Sequence, residues 1–255
     1  MNQKRSPHTL GHENIGKLLL EYSLPAIVAM TASSLYNIID RIFIGQGVGA
    51  LAISGLALTL PFMNLGVAIG ALIGAGAATL VSIRLGEKRA EEASYILGNT
   101  VVLNLILSSS YTVITLFFLE DILYVFGASE ATMPYAKEFM QIILLGNLFL
   151  HLYMGLNNIM RSSGYPHKAM FTTLATVGIN LILAPLFIFV FKWGIRGAAF
   201  ATVISQFAGF IITIFHFINK SSFLHFMKGH FRLRGACRMP PTLWFCCHPS
   251  QRRRH

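Results

Sequence analysis

The stretch "LYNIIDRIFIG", residues 35–45, is almost wholly apolar and aromatic, yet it carries a carboxylate, Asp40. Its reading turns on the solvent around it. Of the 255 residues, 54% are hydrophobic and only 12% are charged. Mean hydropathy is +0.61. A soluble domain is roughly a quarter charged. Runs long enough to cross a bilayer, about 20 apolar residues each, recur over residues 17–42, 53–80, 95–119, 138–160, 168–190 and 197–219. The first run is too long for a signal peptide and five more follow it. The spans are continuous rather than alternating, which excludes a β-barrel. The chain reads as an all-α integral membrane protein with six transmembrane helices.

Charge then orients it. The N-terminus, residues 84–92, residues 161–168 and everything after 219 hold 3, 3, 2 and 8 Lys/Arg. The opposite side holds only Arg41, Lys137, Lys192 and Arg196, and four acids, Glu120, Asp121, Glu130 and Glu138, cluster around the loop between spans 3 and 4. The positive-inside rule places both termini in the cytoplasm of a multi-pass protein of the plasma membrane. The net charge of +10 is therefore an orientation signal, not a nucleic-acid footprint, and the bilayer is the expected partner.

Polar side chains are costly inside a bilayer, so their angular positions are informative. In span 1, Ser33, Asn37 and Asp40 recur at helical spacing beside Tyr36, while Leu35, Ile38, Ile39 and Ile42 take the other side. A mid-membrane Asp costs about 2.5–3.5 kcal/mol on insertion scales, so Asp40 is expected to face protein or a hydrated cavity. Arg41, the adjacent residue, points away from it. Further stripes are Asn104, Ser108, Tyr111 and Thr115 in span 3, and Asn147, His151 and Asn158 in span 4. Span 5 has Thr173, Thr176 and Asn180; span 6 has Thr202, Ser205 and Gln206. Singly these are interhelical hydrogen bonds; together with a carboxylate they favour a hydrated interior. His151 reads first as structural, with proton relay the sharper alternative. At 1.5 Å per residue, Asp40, Asn180 and Thr202 lie roughly 8–15 Å from the outer ends of their spans.

Span 2 carries Gly66, Gly70 and Gly74, a doubled GxxxG that predicts close helix packing. Pro25, Pro61 and Pro185 predict kinks. The chain lacks HExxH, DxxD and Walker A motifs, so no enzyme, metal site or cofactor is expected.

At this point the residues resemble a known family. "SLPAIVAMTASSLYNIIDRIFIGQGVGALAISGLAL" is similar to the first helix and following loop of multidrug and toxic compound extrusion (MATE) transporters, and "NLILAPLFIF" with "WGIRGAAFATVISQ" to their fifth and sixth helices. The similarity covers about residues 10–230 and is nearest the bacterial multidrug export and DinF-like branch. It implies one lobe of a twelve-helix antiporter that exports cationic or amphipathic drugs against protons or sodium. By that resemblance Asp40, Asn180 and Thr202 form the ion-coupling cluster; from the polar stripes, Tyr36, Asn37, Thr176 and Gln206 are expected to line the cavity. A carboxyl taken out of water favours its neutral form, which suits it to proton exchange. Many family members have an acid where this chain has Ala184, which puts a two-carboxylate scheme in doubt here.

The organisation that follows is a cytoplasmic segment at 1–16, a six-helix lobe at 17–220, a linker at 221–234 and an aberrant tail at 235–255. That tail, "GACRMPPTLWFCCHPSQRRRH", holds Cys237, Cys246 and Cys247, all the cysteines of the chain. Their spacing does not match a zinc framework, and the tail reads as a frameshifted or premature end that truncates the transporter after its N-terminal lobe, with a genuine short isoform or a diverged tail as the alternatives. Six spans would let two copies insert in the same orientation, so a homodimer is geometrically allowed. The alternatives to an exporter lobe are a non-transporting remnant and a lipid-intermediate flippase relative.

Overall fold

A computed structural model describes residues 15–218 and Leu224. The tail at 235–255, the linker apart from Leu224 and most of the N-terminal segment lie outside the described residues. The described chain is helical throughout: α1 Ile15–Gly47, α2 Ala50–Gly86, α3 Ala90–Phe117, α4 Leu119–Val125, α5 Met133–Ser162, α6 Pro166–Pro185 and α7 Gly194–Ile218. Six of the helices, all but the short α4, are long and apolar enough to cross a membrane. This bears out the six spans and their order. The chain is a multi-pass membrane protein.

The helices run several residues beyond the apolar segments read from sequence. Between α2 and α3, Arg84 pairs with Glu87 at 2.7 Å and with Glu92 at 3.2 Å, so charged residues extend both helices into the polar layer. Helix α4, absent from the sequence reading, takes up residues expected as loop; Leu119 and Leu123 bury themselves against Ala136, Met140 and Leu144 of α5. The α1–α2 turn is made by Gly49, whose φ of 113° lies in a region that side-chain-bearing residues rarely adopt. Pro134 and Pro166 sit in the first turns of α5 and α6, where a missing N–H costs nothing.

Pro25 and Pro61 lie within continuous helices. Pro185 is different: after it the chain changes to a π-helical turn, Leu186–Val190. Phe191 N–H closes that turn on the Leu186 carbonyl at 3.0 Å.

Helix α5 is the hub. Of its most apolar 18 residues 61% are buried, against 11% for α1. It packs on α2, α3 and α7, while α1 docks chiefly against α6 and meets α2 only sparsely. Apolar side chains cluster at the two ends of the bundle. One cluster centres on Val81, Leu97, Ile159 and Phe217; the other joins Ile44, Phe139, Ile188 and Ala198. The layer between them is polar, with Asn104, Ser108, Asn147, His151, Asn180 and Thr202 all buried. Outward-facing Leu35, Ile38, Leu72, Val113 and Phe117 are exposed, as a lipid-facing surface requires.

The Gly66, Gly70 and Gly74 stripe permits close approach, as expected, but mostly of side chains. A Cβ at Gly66 would stand 3.2 Å from the Tyr111 ring. One at Gly70 would stand 2.7 Å from His151, and one at Gly74 2.7 Å from Asn158 and 3.3 Å from the Gly155 Cα.

Candidate functional site

The peripheral placement of α1 brings one polar cluster together. Asn180 of α6 is the centre. Its Nδ2 donates toward Thr202 Oγ1 of α7 at 3.2 Å, Tyr36 Oη of α1 at 3.3 Å and Ser205 Oγ of α7 at 3.5 Å. Tyr36 Oη and Thr202 Oγ1 are themselves 3.4 Å apart. Two N–H groups thus serve three acceptors from two other helices. Thr202 and Ser205 send their own protons to backbone carbonyls, of Ala198 at 3.0 Å and Thr202 at 2.8 Å, which leaves their lone pairs for Asn180.

Asp40 stands one turn beyond Tyr36 on α1, which sets it beside this cluster. Its Oδ1 is enclosed and has no hydrogen-bond partner in the protein, and among the described residues it makes no ion pair. Arg41 is exposed, as expected, in a surface groove with Ile38, Gly45 and Ile53 at the α1–α2 corner. The Oδ1 of Asn180 is likewise buried without a partner. A buried acceptor left unmatched costs about 1–3 kcal/mol, more when charged. Two enclosed oxygens with spare capacity, one of them on a carboxyl group, are what a proton or a small cation would satisfy.

The structure thus unites Tyr36, Asn180 and Thr202, with Asp40 adjoining. Three other residues expected in the cavity stand apart. Asn37 is exposed, its Nδ2 satisfied by the Ser33 carbonyl at 2.8 Å on its own helix. Thr176 is buried but bonds backward to the Thr173 carbonyl at 2.7 Å and sets its methyl against Gly209. Gln206 is half-buried on α7, outside the hydrogen-bonded cluster. Ser205, noted only as part of a stripe, belongs to the cluster; its position three residues after Thr202 was the available signal. Ala184, one turn beyond Asn180, is fully buried. Among the described residues no group of three His, Cys, Asp or Glu side chains could hold a metal.

Comparison with known proteins bears on the family and the fold. The MatE family model matches residues 25–186. The multidrug export protein MepA of Staphylococcus haemolyticus is 33% identical over 217 residues, covering 85% of this chain and 48% of that protein. MepA of Staphylococcus aureus strain NCTC 8325 is 31% identical over 205 residues, covering 46% of its length. The chain spans about half the length of the curated relatives it matches. An outward-facing multidrug resistance MATE family transporter superposes with a TM-score of 0.83 at 24% identity, over 91% of this chain and 51% of that one. At that identity the likeness shows the fold, one lobe of a MATE transporter.

Proposed function

The chain belongs to the MatE family, and from that membership we propose that its six helices form the ion-responsive lobe of a cation-coupled exporter of drugs or other organic cations. The observation that carries the reading is the unpartnered Asp40 Oδ1 next to the hydrogen bonds joining Tyr36, Asn180, Thr202 and Ser205. Beyond its packing on α6, helix α1 has little attachment to the bundle. A proton or sodium ion taken up at Asp40 neutralises the charge between α1 and α6; its release restores a carboxylate that draws water and loosens α1. Two helix placements biased by one charge are the element that alternating access needs. The proton or sodium ion is a co-substrate in this scheme, and small cationic or amphipathic molecules are the cargo. The basic residues of the α2–α3 and α5–α6 turns, against the acids between α3 and α5, support a cytoplasmic N-terminus, and an exporter lobe of this kind belongs in the plasma membrane.

The test has two arms. In bilayers, infrared difference spectra on acidification or sodium addition will contain a carboxyl band that vanishes in Asp40→Asn. In cells stripped of their own efflux pumps, the protein will lower accumulation of a cationic dye and Asp40→Asn at equal abundance will not. A band unchanged by Asp40→Asn, or equal dye efflux from both, refutes the assignment of Asp40.

A further inference from the structure

A second polar group lies away from Asp40, in the seam where α2, α3 and α5 meet. Four side chains there are each at least 95% buried and each has a polar atom without a partner in the protein: Asn104 Oδ1, Ser108 Oγ, Asn147 Nδ2 and His151 Nδ1. Asn104 and Ser108 are one turn apart on α3; Asn147 and His151 are one turn apart on α5.

Three contacts fix how these pairs face each other. Asn104 abuts Gly155, one turn along α5 from His151, since a Cβ on that glycine would meet Asn104 Nδ2 at 2.6 Å. Tyr111 abuts Gly66, whose carbonyl is bound by His151 Nε2 at 2.7 Å. Thr112 donates to the Leu144 carbonyl at 3.2 Å, just beyond Asn147. Ser108, between Asn104 and Tyr111, is thereby brought to the level of His151.

The hydrogen-bonding valences then decide what fits. A carbonyl only accepts, so Nε2 of His151 carries the proton toward Gly66, and the neutral ring presents a lone pair at Nδ1. Asn104 spends its Nδ2 on the Thr100 carbonyl at 2.9 Å, leaving Oδ1 as an acceptor. Asn147 Nδ2 and the Ser108 hydroxyl have protons to give. The seam therefore offers two acceptors and two donors over successive turns, Ser108 and His151 at one level with Asn104 and Asn147 a turn to either side, a lining that water molecules can match. A metal cation would face the Asn147 amide protons, and no carboxylate lies in the middle of α2, α3 or α5.

We infer that Asn104, Ser108, Asn147 and His151 form an internal water site that joins α3 to the α2–α5 pair. Buried water commonly makes about three hydrogen bonds to polar groups that would otherwise be unmatched, and is costly to remove.

Hydroxyl-radical labelling of the bilayer-embedded protein in oxygen-18 water tests this directly, because radicals form from bound water and attack what it touches. Labelling is expected at His151 despite its complete burial, alongside exposed His167, while Met160 in the neighbouring apolar cluster remains unlabelled. A second measurement reads the sign of a substitution. Ser108→Ala lowers Tm if its hydroxyl holds water, and raises Tm if that hydroxyl is a dry orphan, since removing an unmatched group is favourable. An unlabelled His151, or a Tm raised by Ser108→Ala, overturns the inference.

Discussion

Asn180 Nδ2 lies 3.3 Å from Tyr36 Oη, a contact that spans 144 residues of sequence and ties α1 to α6. The other acceptors of that amide, Thr202 and Ser205, are both on α7, so one side chain connects three helices.

Removing the Tyr36 hydroxyl should therefore cost less than removing the amide. Tyr36→Phe deletes one of the three amide bonds together with the longer Tyr36–Thr202 contact, and should destabilise by about 0.6–1.2 kcal/mol at the average for interhelical bonds in membranes. Asn180→Leu deletes all three and should cost about 1–3 kcal/mol. Unfolding equilibria in bicelles will rank them, and equal losses would mean that Asn180 is not the centre.

Ala184 tests what surrounds Asp40. Ala184→Asp adds a second carboxylate at a fully buried position one turn from Asn180. It should lower Tm at neutral pH without sodium, because an unpaired buried charge is costly. Acid, which neutralises the carboxyl, or sodium, which pairs with it, should restore part of the loss. A loss insensitive to both would separate Ala184 from the proposed ion site.

Two glycines of α2 should respond oppositely to alanine. At Gly70 the new methyl would stand 2.7 Å from His151 Cδ2, on a ring fixed by the Gly66 carbonyl; overpacking of this kind costs about 1–3 kcal/mol. At Gly76 nothing lies within 4 Å, and alanine should stabilise the helix by about 0.5–1 kcal/mol. Thermal unfolding of the two single variants settles the sign of each.

Orientation can be read by labelling in a background lacking Cys237, Cys246 and Cys247. An impermeant maleimide should reach Ser129→Cys from outside intact cells, and Lys88→Cys only after permeabilisation. The reverse pattern would invert the topology.

The six spans were legible because bilayer thickness imposes an apolar length that few other structures need. Their ends were not, since charged residues such as Arg84 and Glu92 continue a helix once it reaches the polar layer. Helix α4 was missed because seven residues are too few to show a period. Within the site, spacing placed Ser33, Asn37 and Asp40 on one stripe but could not locate its boundary with lipid. Asn37 turned out exposed because α1 is covered mainly on one side, by α6, a tertiary fact absent from any single helix. The Thr202 and Ser205 pair was visible as a stripe; that Asn180 would bridge it to Tyr36 depended on how α6 and α7 pack.

The docking of α1 on α6 also sets an order of events during synthesis. A ribosome adding about 5–20 residues per second needs roughly 7–30 s to extend from Tyr36 to Asn180. For that interval the nascent α1 sits in the membrane with Asp40 and without the neighbour that will shelter it. Until α6 arrives, this carboxylate depends on the insertion machinery or on lipid headgroups for shielding. The segment proposed to respond to ions in the finished lobe is thus also an exposed intermediate during biogenesis.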